Sequence, residues 1–349
     1  MAEAVYAGPC ARIPACPPPH AHASQKGIII KIGMITDSLP DDSVDTMLSN
    51  AARMKMDMLE FACGNWSPAP HIELDRMLDS DAARRDFQAR VADHGIAISA
   101  LNCSGNPLHP GEHGRRHAEV TRKTIRLAGM MGVDRVVMMS GCPGAPGDSY
   151  PNWITTEWPP EVREILKWQW DEALVPFWKD LVAYAKNQGV GKLCLELHGH
   201  QNVYNVATLH RLRNAVGEVV GANLDPSHLM WMGADPIAAA AALGDAVYYC
   251  HAKDTRIDPD IAGVNGVIDT TPGSDFKHRS WSYITLGRGH AEPWWDKFVA
   301  ALEAAGYDGV LSIEHEDPAM SALEGVEESV ALLKRVLERR AGQSVTGPH

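Results

Sequence analysis

Lys192-Leu-Cys-Leu-Glu196-Leu-His198 is an apolar run that ends in a carboxylate and an imidazole. It reads as a buried strand opening onto something polar. Strand side chains alternate with period two, so Glu196 and His198 point to the same side. The same ending returns three times further along. Asp225 closes Ala222-Asn-Leu-Asp225 ahead of Pro226-Ser-His228; His251 closes Val247-Tyr-Tyr-Cys-His251 ahead of Ala252-Lys253; Glu314 closes Val310-Leu-Ser-Ile-Glu314 ahead of His315-Glu316. Any one of these carboxylates could simply cap the next helix, and Asp225 followed by Pro226 is a good cap in its own right. Capping does not account for four strands in succession that each end in an oxygen or nitrogen donor.

Outward from this stretch, short apolar runs alternate with longer amphipathic ones, the signature of β-α units on a parallel sheet. Strands are predicted at 28–35, 57–62, 96–102, 134–139, 192–198, 219–225, 246–251 and 309–314. Helices are predicted at 42–55 with Ser43 as a cap, 80–94 closed by Gly95, 115–131, 168–187, 206–216, 236–243, 293–305 and 319–338. Eight such units with no domain-sized shift in composition predict one closed (β/α)8 barrel over residues 27–340, ending in a C-terminal helix. An open doubly wound sheet is the competitor. Its phosphate fingerprint is missing, because Gly141-Cys-Pro-Gly144-Ala-Pro-Gly147 carries two prolines and no helix begins directly after it.

Two stretches break the rhythm: 141–165 after the fourth strand and about 254–292 after the seventh. Connections this long are usually functional, and these are expected either to cover the mouth or to form a contact between copies of the chain. Residues 1–26, with Cys-Pro-Pro-Pro-His-Ala-His, read as a disordered or extended leader, and 341–349 as a flexible tail.

Composition narrows the function classes. Of 349 residues, 45% are hydrophobic and 22% charged, enough for a large core. The net charge of −12 argues against nucleic acid as the main partner, which needs a concentrated basic surface. No apolar run approaches membrane-spanning length. The seven cysteines are scattered with no Cys-x-x-Cys pair, which fits reduced thiols in a cytoplasm rather than a disulfide framework.

In a barrel, reactive groups gather where strands meet the following loops, and all four donors fall there. Glu196, Asp225, Glu314 and His251 together carry a net charge of −3. Such a cluster repels itself unless a divalent cation sits in it. A carboxylate-rich shell suits Mn²⁺ first, with Mg²⁺, Co²⁺ or Zn²⁺ as alternatives. His198, His228 and Lys253 form the next ring of candidates. His228 is three residues past Asp225, and Lys253 shares a strand face with His251. The histidines are read either as proton carriers and sugar-hydroxyl partners or as supports that orient the carboxylates. Glu60 near the end of the second strand adds a carboxylate for substrate. Trp66, Trp153, Trp158, Trp231 and Trp281 lie in loops, where they either stack on sugar rings or pin the insertions to the barrel.

Glu196-x-His198, Asn223-Leu-Asp225-Pro-Ser-His228, His251-Ala-Lys253-Asp-Thr255 and Ser312-Ile-Glu314-His-Glu316 resemble, in order and position, the xylose-isomerase-like TIM-barrel superfamily of sugar phosphate isomerases and epimerases. The resemblance runs over roughly residues 30–338. It implies that Glu196, Asp225, His251 and Glu314 ligate one divalent metal, that Glu196 and Glu314 exchange protons with the substrate, and that His228 holds substrate oxygens. Two positions depart from the ketose epimerases: Asn202 stands where they carry a further glutamate, and Arg256 matches their arginine only loosely.

The implied function is a metal-dependent sugar isomerase or epimerase. It would abstract a proton beside a carbonyl through a metal-stabilised enediolate, in a cytoplasmic assembly of two or four copies. Glu-x-His and the His-Ala-Lys-Asp-Thr segment resemble branches that act on oxidised sugars, so the alternative is a lyase, dehydratase or deglycosidase on a 3-keto-sugar, keto-glycoside or inosose. An abasic-site endonuclease shares the barrel but needs a trinuclear zinc cluster and a basic face. A non-catalytic sugar-binding module would leave the anionic cluster without a purpose.

Overall fold

A computed structural model describes residues 29–345, so the predicted leader lies outside the described residues. Eight parallel strands close into a barrel: β1 (Lys31–Ile35), β2 (Met58–Ala62), β3 (Ala97–Asn102), β4 (Arg135–Met138), β5 (Lys192–Glu196), β6 (Val220–Leu224), β7 (Val247–Ala252) and β10 (Val310–Ile313). They follow one another around the cylinder in chain order, and β10 seals it against β1 with Lys31 opposite Val310. The strands pair as neighbours because each crossover is a helix that packs back on the sheet with one apolar face.

The helices are α1 (Val44–Arg53), α2 (Leu74–Asp79), α3 (Asp81–Asp93), α4 (Glu112–Met131), α5 (Glu161–Trp168), α6 (Val175–Asn187), α7 (Val206–Val216), α8 (Pro226–Trp231), α9 (Pro236–Leu243), α10 (Pro259–Asn265), α11 (Glu292–Ala304) and α12 (Ala322–Val345). Local chemistry sets their ends. Ser43 caps α1 by accepting the Thr46 N–H at 3.2 Å, as the sequence predicts, and Ser80 caps α3 through Ala83. Gly132 ends α4 at φ 70°, a conformation that favours glycine.

Period-two alternation fills the barrel in layers. Ala100, Val137, Cys194, Tyr249 and Val310 form an apolar plug in the interior. Two residues further along their strands come Asn102, Met139, Glu196, His251 and Ser312, all of them buried. The plug is apolar and four of these five residues are polar, so the polarity change that marks the mouth is written into the strands themselves.

The structure departs from the sequence reading in several places. The stretch 254–292 is not irregular: β8 (Asp254–Ile257) and β9 (Trp281–Ile284) form an antiparallel hairpin with α10 between them. The helix predicted to begin at 168 starts at Glu161, and Gln169–Leu174 forms a wide π-helical turn between α5 and α6. The short helices α2 and α8 were not predicted. The final helix runs on to Val345, into the segment read as a tail.

Candidate metal centre and active-site cleft

Glu196, Asp225, His251 and Glu314 converge at the C-terminal mouth, each offering one donor atom, and these atoms all lie within 4.8 Å of one another. The first three are fully or almost fully buried, while Glu314 is partly open to the cleft. Their hydrogen bonds show what they are free to do. Asp225 uses Oδ1 to cap α8, accepting the Ser227 N–H at 2.8 Å, and its Oδ2 has no hydrogen-bond partner. The cap is therefore present on one oxygen, and the other is left facing the cluster.

His251 hydrogen-bonds through Nε2 to the Glu60 carboxylate at 3.0 Å. This places its proton on Nε2 and leaves the Nδ1 lone pair for the cluster. That Nδ1 lies 2.9 Å from Glu314 Oε2, yet neither atom makes an aligned hydrogen bond. Three buried acceptor atoms, Asp225 Oδ2, His251 Nδ1 and Glu314 Oε2, thus face one another without an aligned hydrogen bond, with His228 Nε2 3.2 Å from the first of them. Buried polar atoms in proteins nearly always have partners, and a divalent cation is the partner that fits this donor set.

Cations surround the carboxylates. His228 Nε2 lies 3.1 Å from Glu196 Oε1 and 3.2 Å from Asp225 Oδ2, and its Nδ1 pairs with the Tyr283 hydroxyl at 2.9 Å. Lys253 Nζ reaches Glu314 at 3.1 Å and Glu316 at 2.7 Å, with the Tyr283 ring centred 4.2 Å away. Burial works against every one of these charges, and pairing overrides it. Asp225 and Glu196 hold the His228 imidazole up at about 9. Its charge in turn keeps both carboxyls low, with His251 adding to the effect at Glu196. Glu314 and Glu316 hold Lys253 well above the usual lysine range.

His198 differs. Burial, followed by the charge of His228, pushes it down to about 4, so it is a neutral imidazole, with its ring centred 4.0 Å from that of His228.

These groups open onto a cleft of about 210 Å³. Glu196, His198, His228, His251, Lys253, Glu314 and Trp66 line it, so the structure brings together most of the residues singled out from the sequence. Two of them sit elsewhere. Glu60 is fully buried behind His251, where it accepts from Asn102 Nδ2 and Ser312 Oγ at 2.7 Å each, and it does not line the cleft. Arg256 stands exposed on β8, outside the lining.

Tyr283, Asp37 and Glu316 are among the cleft residues that were missed. Tyr283 comes from the hairpin, which no periodicity announced. Asp37 follows β1 at the same strand end as the other acids, a signal that could have found it. Burial, with help from Glu314, Glu60 and Glu316, pushes its carboxyl up. Glu316 stood inside a quoted motif but was given no role.

A family model described as a xylose isomerase-like TIM barrel matches residues 48–336. The uncharacterized protein YfiH of Bacillus subtilis (strain 168) is 47% identical over 313 residues, 89% of this chain and 100% of that protein. The structure of an L-ribulose 3-epimerase matches with TM-score 0.62 at 18% identity, over 92% of this chain and 99% of that one. The probable 3-DHS dehydratase AsbF, involved in petrobactin synthesis in Bacillus anthracis, matches with TM-score 0.62 at 14% identity, over 87% and 99%. At such identities the two structures share a fold with this chain.

Proposed function

The chain belongs to the xylose isomerase-like TIM barrel family, and from that premise we propose that it is a divalent-metal-dependent isomerase or epimerase of a small sugar or oxidised sugar. The observation that carries this reading is the set of donor atoms on Asp225, His251 and Glu314, without aligned hydrogen bonds, that meet beside Glu196 at the floor of an open cleft. Glu196, Asp225, His251 and Glu314 would hold the ion. Mn²⁺ suits a shell of three carboxylates and one imidazole best, with Mg²⁺, Co²⁺ and Zn²⁺ as alternatives. When bound, the ion supplies positive charge where a carbonyl oxygen becomes negative as the neighbouring carbon loses its proton.

The remaining work falls to the side chains. Glu196 and Glu314 flank the cleft floor from β5 and from the end of β10, so one can take a proton from carbon while the other returns it. Lys253 keeps Glu314 ionised and ready to act as a base. Tyr283 and the two carboxylates engage both nitrogens of the His228 ring, so His228 would orient Glu196 and Asp225, while neutral His198 would hydrogen-bond a substrate hydroxyl. Trp66, 52% exposed at the rim, offers an apolar face to a sugar ring. The catalytic domain is residues 27–340. The five described cysteines are buried and unpaired, which suits a reducing cytoplasm. The expected assembly is a dimer or tetramer.

A second reading, a lyase or dehydratase, is favoured by Asp37. This cleft carboxyl has a raised pKa and an unpartnered Oδ1, and could protonate a departing hydroxyl or aglycone. Incubating the Mn²⁺-loaded protein in D₂O with ketoses, inososes and 3-keto-glycosides separates the two. Deuterium entering carbon without bond cleavage means isomerisation, while release of water or an aglycone means elimination. The metal assignment has its own test in Glu314→Gln, which is expected to abolish turnover and metal occupancy while leaving the circular dichroism spectrum unchanged. A metal-free variant that still turns over would refute it.

A further inference from the structure

Beside the metal cleft lies a second chamber of about 380 Å³. Trp66 lines both: its ring is centred 6.3 Å from that of His198 and 6.4 Å from that of His117. The chamber contrasts with the protein that surrounds it. The chain carries 44 acidic against 32 basic residues, yet no Asp or Glu lines this space. Arg116 lines it and forms no ion pair among the described residues.

Two of the four lining histidines are fixed as donors. His117 Nδ1 accepts the Asn106 N–H at 3.0 Å, and His109 Nδ1 accepts the Gly111 N–H at 3.0 Å. Each therefore carries its proton on Nε2, the nitrogen left for a ligand. Burial, and then the charge of Arg116, keeps His117 below the ordinary histidine range. Gln201 is fully buried; its Oε1 is taken by the Gly141 N–H, and its Nε2 has no partner. The leftover acceptor among these groups is Asn65 Oδ1. Asn65 and His200, both lining the chamber, sit at φ 69° and 61°, a left-handed conformation that side chains other than glycine seldom adopt.

A guanidinium and two imidazole N–H groups around a space free of carboxylates form a site for an anion. We propose that the chamber is a second substrate subsite, which holds a phosphate ester or carboxylate carried by the sugar whose reacting carbons lie over Glu196 and Glu314. The placement rests on the isomerase reading; the anion site itself does not.

Calorimetric titration of the metal-loaded protein with inorganic phosphate, glucuronate and glucose tests it. Phosphate and glucuronate are expected to bind more tightly than glucose, and Arg116→Met to weaken both by roughly tenfold or more while leaving glucose unaffected. Arg116 is exposed, so this substitution does not threaten folding. A preference for phosphate over glucuronate assigns a phosphate ester, and the reverse assigns a sugar acid. Glu314→Gln is expected to lose metal but keep phosphate binding, which separates the chamber from the metal and from the isomerase reading. Equal, weak binding of all three probes, indifference of phosphate to Arg116→Met, or loss of phosphate together with the metal would overturn the proposal.

Discussion

His251 gains its ligand character from a residue it hides. The Glu60 carboxylate behind the imidazole, 3.0 Å from Nε2, fixes which nitrogen faces the cluster. Glu60→Gln is expected to lower metal affinity by roughly 10–100-fold, the usual effect of removing the carboxylate behind a ligating histidine. Metal titration of the variant checks this, with an unchanged fold as the control. The cluster of Glu196, Asp225, His251 and Glu314 was legible in the sequence because strand alternation and strand ends are local properties. The depth of Glu60 was not, because the register of β2 against β3 slips between Leu59 and Glu60, and the neighbouring strand decides where that happens.

The thiols make a second prediction at this scale. Burial pushes Cys103, Cys142 and Cys194 up to about 12 from an ordinary 9.0. In a Cys10→Ser, Cys16→Ser background, the native protein should resist iodoacetamide at pH 8 and become reactive only when unfolded. Because the folded pKa values are raised, the associated stability is fully present below pH 9. It falls as pH climbs from 9 towards 12, where the unfolded chain alone sheds these protons. Denaturant midpoints measured across that range check the sign.

At the scale of the element, β1 depends on Gly33 for its fit between its neighbours. A Cβ there would stand 2.5 Å from the Met58 carbonyl oxygen and 2.9 Å from Val310 Cγ2, with backbone on one side and a branched side chain on the other. Gly33→Ala should therefore cost about 1–3 kcal/mol, as overpacking does, and appear as a lower Tm. Most long amphipathic helices were read to within a few residues, the exceptions being the early start at Glu161 and the run of the last helix to Val345. The six-residue α8 was overlooked because a turn and a half has no period to detect. Its signals, an Asp225 cap and Pro226 at the first helical position, read as a cap, but no helix was placed behind them. The hairpin β8–β9 escaped for a different reason: its strands are four residues each and separated by α10, so alternation never builds up. Tyr283, which bonds His228 from that hairpin, could not be placed without it.

For the whole molecule, an ion that binds only the folded barrel must stabilise it. At a free concentration a hundredfold above Kd the gain is about 2.7 kcal/mol. Removal of metal with EDTA should lower Tm, and Mn²⁺ should restore it in a concentration-dependent way; a Tm indifferent to metal would count against the site. The barrel itself was readable because eight apolar runs and their helices repeat without a break, whereas the rim is a matter of tertiary contacts between segments far apart in sequence. Gln169 illustrates this. On the wide turn between α5 and α6, its side chain is fully buried and its amide donates to the carbonyls of Pro143 at 3.0 Å and Asn152 at 2.8 Å. The root of the loop after β4 is thereby clamped to a helix, while its crest, Ala145 to Tyr150, is almost wholly in solvent. Such an arrangement makes the crest an interchangeable part: a descendant gene could lengthen, shorten or rewrite it, with the clamped root and the barrel floor inherited intact.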